Sequence, residues 1–154
     1  MQREIKFRGQ RVDTKEWVYG YLIECGITGE SYIFPIGNDV NESERVGEEG
    51  CLRIVTYEVI PETVGQFTGL KDKNEKEIYE SDLIEIKTEK HHFVSEITWD
   101  SDIGGFEFQD TENTYCGLDA IKIFKNGSSL YGGYVEVIGN IYQDPELLQG
   151  VSNE

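Results

Sequence analysis

Basic residues are scarce in this chain. Its 154 residues carry 14 Lys and Arg against 30 Asp and Glu, a formal net charge of −16. The shortage is uneven. Residues 1–20 hold five basic groups (Arg3, Lys6, Arg8, Arg11, Lys15) and three acidic ones, net +2. The other 134 residues hold the remaining nine basic and 27 acidic groups, net −18. Nucleic-acid binding needs Lys and Arg to neutralise phosphates. General binding to DNA or RNA is therefore disfavoured, except through a local N-terminal patch. Cysteine is also rare. Cys25, Cys51 and Cys116 are far apart, and no CxxC occurs. An odd, dispersed set does not make a disulfide framework. No apolar run approaches the ~18 residues of a membrane span. The opening MQREIKFRGQ lacks the apolar core of a secretion signal. The expected location is the cytoplasm, without membrane attachment.

Chemical signatures are missing too. There is no GxxxxGK, GxGxxG or GxSxG. Asp72-Lys73-Asn74 opens like a calcium loop. Its fifth, sixth and twelfth positions are then Lys76, Glu77 and Leu83, where an oxygen ligand, a Gly and a Glu are required. His91 and His92 are adjacent, so on a strand they point to opposite faces and share no metal. Thirty carboxylates make chance neighbours inevitable, so a close pair is weak support for glycosidase-like chemistry. No catalytic residue, metal ligand or cofactor is expected.

What remains is strand pattern. Hydrophobic residues make up 38% of the chain and recur throughout, enough for a folded core. Period-two alternation of β-branched and aromatic residues dominates. Residues 17–23 (WVYGYLI) and 31–36 (SYIFPI) read as strands joined by a turn at 26–29, with Gly20 a bend or bulge. Pro35 places its strand at an edge or ends it. Residues 37–50 read as a variable acidic loop. Strands follow at 52–60, 64–70, 78–79 with 83–86, 92–99, 106–108 and 134–142. Residues 71–76 form a polar reversal. One short helix is expected over 118–125, and a helical turn at 145–148. Trp17 and Trp99 are expected to be buried anchors of the sheet.

Trp17, Tyr19 and Tyr21 share one side of their strand, near Arg8 and Arg11. Aromatics among cations can stack bases and hold phosphates. The other reading makes the aromatics core and the cations mere flanks, and it weighs more. Asp82 enters a strand after a turn, where a carboxylate can accept backbone N–H groups. A structural role is expected of it.

Three stretches go further: IKFRGQRVDTKEWVYGYLI, PETVGQFTGLKDKNEKEIYESDLIEI and VEVIGNIYQDPELL. Their order and wording resemble the YopX-like family of phage and prophage proteins. The resemblance implies one mainly β domain over residues 1–154, a strongly twisted sheet or half-barrel with long loops. It also implies a bacterial host, and it supplies no activity. Two positions depart from the family pattern. Ser81 and Glu75 stand where Gly is usual, and a positive φ there would strain a side chain. The leading reading is a non-enzymatic accessory module that binds a host or phage protein through edge strands and an acidic face. Nucleic-acid binding through the N-terminal strip and a hydrolase with an unrecognised carboxylate site are the alternatives. Assembly into a homo-oligomer stays open.

Overall fold

The computed structural model describes residues 4–36, 55–89, 91–110, 114–117 and 133–149. The expected loop at 37–50 and helix at 118–125 lie outside these residues. Among these residues the fold is mainly β, with three antiparallel sheets. By internal contacts the chain divides into two compact units, Met1–Gln66 and Phe67–Glu154.

In the first unit, β1 (Phe7–Gln10), β2 (Trp17–Glu24), β3 (Ser31–Pro35) and β4 (Tyr57–Val59) pair in sequence. The start of β5 (Gly65–Lys71) lies on the free side of β1, through Gly65 and Gln66. The alternation in β2 and β3 separates two faces. Gly20, Ile33, Pro35 and Val59 are buried on one of them. A Cβ at Gly20 would overlap the carbonyl oxygen of Phe34, so this position marks close strand approach. Gly9 faces Val59 in the same way. The sheet curls until β4 returns to the end of β1. Arg11 bridges Val59, Val12 N–H donates to Glu58 O at 3.0 Å, and Ile60 N–H donates to Gln10 O at 2.8 Å. A 3-10 turn, Pro61–Thr63, follows. The Thr63 hydroxyl accepts from Gln10 N–H at 2.9 Å and donates to Ile60 O at 2.7 Å.

In the second unit, the rest of β5 pairs with β6 (Glu77–Tyr79), with a register shift between Phe67 and Lys71. Gly69 lies in that shift at φ +86°, which glycine tolerates best. β7 (Asp82–Thr88) is the centre of a sheet, between β8 (His92–Glu96) and β12 (Gly133–Asn140). β10 (Gly105–Gln109) is the centre of another, between β9 (Thr98–Asp100) and β11 (Tyr115–Gly117). Ile78, Ile84, Ile86, Ile97, Phe106, Phe108, Val135 and Val137 form one core. A 3-10 helix, Pro145–Gln149, closes the described chain. Among the described residues, no helix is long and apolar enough to cross a membrane.

Two carboxylates, Asp72 and Asp82, are fully buried in this unit. The Asp72 Oδ1 accepts from Asn74 N–H and Lys76 N–H, at 2.7 and 3.0 Å. Its Oδ2 accepts from Val137 N–H. Asp82 Oδ2 accepts from Tyr79 N–H at 2.7 Å. Next to it, Ser81 N–H donates to Ile97 O, Ile97 N–H to Asp82 O, and Ile141 N–H to Ser81 O. This corner therefore ties the ends of β6, β7, β8 and β12 together.

Several expectations change. Residues 92–99 are not one strand. The chain passes from one sheet to the other at Ile97, which is completely buried. Alternation continues through the break, so periodicity alone hides it. Strands β1 and β11 were not expected, because each is short and carries little alternation. Trp99 is 42% exposed, not buried. It lies on an edge strand and packs edge-on over Phe106, with ring centroids 4.9 Å apart, so it caps the core instead of filling it. Trp17 is only partly buried.

Candidate docking face

Alternation places Trp17, Tyr19, Tyr21 and Ile23 on one face of β2. Register extends this face across the first unit's sheet. Arg8 stands opposite Tyr19, Phe34 opposite Tyr21, Tyr32 opposite Ile23, and Glu58 opposite Tyr32. Tyr19, Tyr21 and Ile23 are 45%, 52% and 48% exposed. The face thus presents aromatic and aliphatic surface to solvent, where such surface commonly marks an interaction site.

The strip's cations are committed locally. The Arg8 guanidinium lies over the Trp17 ring, 4.6 Å from its centroid, and Arg8 is only 6% exposed. Arg11 pairs with Asp13 at 2.6 Å and lies 4.3 Å from the Tyr57 ring centroid. The bond to Asp13 raises the Arg11 pKa and, reciprocally, holds the Asp13 carboxyl below its ordinary value. Lys6 pairs with Glu4 at 3.4 Å. The structure therefore brings Arg8, Trp17, Tyr19 and Tyr21 onto one face. Arg11 is turned to a separate pair at the end of β1.

Ile23, Tyr32, Glu30 and Glu58 belong to this face and were missed as site residues. Their signal was present: Ile23 continues the period of Tyr19 and Tyr21, and Tyr32 alternates within SYIFP. Pairing of β2 with β3 and β4 was the missing information. The Tyr32 hydroxyl donates to Glu30 Oε2 at 2.9 Å, as does Thr28 Oγ1. The bond to Glu30 pushes the Tyr32 hydroxyl pKa up; burial adds to it, as do the charges of Glu30 and Glu58.

A second polar cluster lies on the sheet of β12, β7 and β8, on the face opposite the core. Glu85 and Glu136 are cross-strand neighbours. Glu85 Oε1 is 2.8 Å from His92 Nε2, and its Oε2 accepts from the Tyr134 hydroxyl at 2.9 Å. Glu136 pairs with Lys73 at 2.6 Å and accepts from Asn74 Nδ2 at 3.0 Å. The Lys73 ammonium lies 3.6 Å from the Tyr134 ring centroid. Hydrogen bonding to His92 is the main cause holding the Glu85 carboxyl below its ordinary value. Like charges directly opposite repel, and these partners offset that repulsion. Each Glu85 oxygen holds one hydrogen bond, so the carboxylate links β7 to both β8 and β12. The cluster's members come from four elements, which no local motif reveals. Among the described residues, no three His, Cys, Asp or Glu converge as a metal site.

A family model described as YopX protein matches residues 6–149. The chain belongs to the YopX family. A similar solved structure is the crystal structure of protein EF1440 from Enterococcus faecalis. It is 25% identical, with a TM-score of 0.53, covering 96% of this chain and 99% of that one. No curated protein matches the chain. As a YopX-family member it has the mainly β fold the resemblance implied. Glu75 and Ser81 both adopt positive φ, 64° and 65°.

Proposed function

We propose that this YopX-family chain is a non-enzymatic protein-binding module, an accessory protein of phage or prophage origin working in the cytoplasm of a bacterial host. The observation that carries this reading is the exposed face of β2 at Tyr19, Tyr21 and Ile23. Interface cores favour aromatic side chains. A nucleic-acid reading would need the neighbouring cations to meet phosphates. Arg8 is instead covered, and Arg11 and Lys6 face carboxylates of the same unit. The net charge of −16 adds repulsion.

Affinity capture from bacterial host cells, with and without nuclease, tests the proposal. Wild type should retain a protein partner regardless of nuclease, and the exposed double variant Tyr21→Ala, Ile23→Ala should lose it. Capture that vanishes with nuclease would transfer function to nucleic acid. A partner retained equally by the double variant would remove the face from the mechanism.

A further inference from the structure

We infer that the partner meets this face with a cationic segment: apolar residues cover Tyr21 and Ile23, while an Arg or Lys enters the corner formed by Tyr32, Glu30 and Glu58. The inference rests on the protein-binding reading and specifies its chemistry. Ile23, Tyr32 and Glu58 form one row across three strands. Glu30 lies on the same side of β3 as Tyr32 and accepts its hydroxyl hydrogen. Two exposed carboxylates therefore flank one phenol beside an exposed apolar strip. Among the described residues, the ion pairs include neither Glu30 nor Glu58. Elsewhere in the same unit, ring faces already receive guanidinium groups, Arg8 over Trp17 and Arg11 over Tyr57. Cations favour aromatic faces, and flanking carboxylates strengthen that preference. A phosphate-bearing or acidic partner meets only repulsion here.

The complication is that a chain of charge −16 attracts any cation. The test must therefore separate this corner from the general field. The full chain, isotope-labelled, is titrated by amide NMR with a short peptide alternating Arg and Leu, and with its Glu-Leu counterpart. The Arg peptide should shift the amides of Tyr21, Ile23, Tyr32 and Glu58, and the Glu peptide should not. Glu30→Gln with Glu58→Gln should weaken the Arg peptide about tenfold. Glu89→Gln with Glu146→Gln removes the same charge from exposed positions elsewhere and should change affinity far less. Equal weakening by both pairs, scattered shifts, equal binding of the Glu peptide, or no Arg-peptide binding at about 1 mM would each overturn the inference. If the captured partner depends on Tyr21 and Ile23 but is indifferent to Glu30 and Glu58, the cationic chemistry falls and the protein-binding reading stands.

Discussion

The buried carboxylate of Asp72 accepts the backbone N–H of Val137 at 3.0 Å, across 65 residues of sequence. The same carboxylate holds the N–H groups of Asn74 and Lys76. One side chain thus shapes the β5–β6 turn and fastens it to β12, beside the register shift between Val137 and Gly139. The stretch that opens like a calcium loop is a backbone clamp. Asp72→Ala leaves three donors without this acceptor and should cost about 3 kcal/mol. Asp72→Asn keeps one oxygen but turns an amide N–H₂ toward a donor, so it should fall between. Urea denaturation of the three proteins checks the order; equal midpoints would show the clamp carries no stability.

Asp82 makes a simpler case. Its Oδ2 accepts from Tyr79 N–H, in a corner where backbone bonds join four strand ends. Asp82→Asn retains an acceptor oxygen and should retain most stability. Asp82→Ala should lose about 1 kcal/mol or more. Full stability in both variants would remove the structural role and reopen a catalytic one.

Glu75 and Ser81 occupy left-handed backbone, at φ 64° and 65°. A side chain there costs about 1 kcal/mol relative to glycine. Glu75→Gly should therefore raise stability, less a part for the added freedom of the unfolded chain. Its 4.0 Å pair with Lys71 is exposed and adds little. Ser81→Gly should gain less, because it gives up the 3.3 Å contact between Ser81 Oγ and the Tyr142 hydroxyl. Alanine at either site keeps the strain and should bring no gain. Thermal melts of the Gly and Ala variants decide this; a Gly variant no more stable than its Ala counterpart contradicts it.

Two glutamates should shape the pH dependence in opposite senses. The Glu85 pKa is lowered in the fold, chiefly by His92. As pH falls, the unfolded chain protonates Glu85 first. Its contribution is therefore complete above the ordinary carboxylate pKa and is lost as pH drops to the folded value. The Glu96 pKa is raised, first by burial and then by Glu80. The folded state protonates it first, so its ionisation destabilises as pH rises through the folded value. Denaturation midpoints at about pH 7 and about pH 3.5 provide the check. Glu85→Gln should destabilise, and Glu96→Gln stabilise, at the higher pH; both differences should shrink at the lower. Effects of the same sign would refute the assignment.

Most strands were legible because alternation is local. Trp17–Glu24, Ser31–Pro35 and Gly133–Asn140 follow from their own residues. So does the turn before Glu30, which glycine chemistry marks directly, whereas the 3-10 turn at Pro61–Thr63 emerged only from the structure. The candidate face was half legible. Trp17, Tyr19 and Tyr21 announce a shared side, but Tyr32 and Glu58 join it only through β3 and β4. The sheet change at Ile97 was hidden because alternation runs through it unbroken.

By itself the sequence determined the β class, the reversals, the family and the charge, since each depends on residue type and near neighbours. Only the tertiary structure decided which face is covered. Period two separates Tyr21 from Leu22 but does not say which meets solvent; the curl that brings β4 back to β1 does. The same holds for Trp99, whose bulk suggests burial while its edge strand leaves one side open. Asp72 reaches Val137 because two strands distant in the chain are folded together, a relation no local pattern contains.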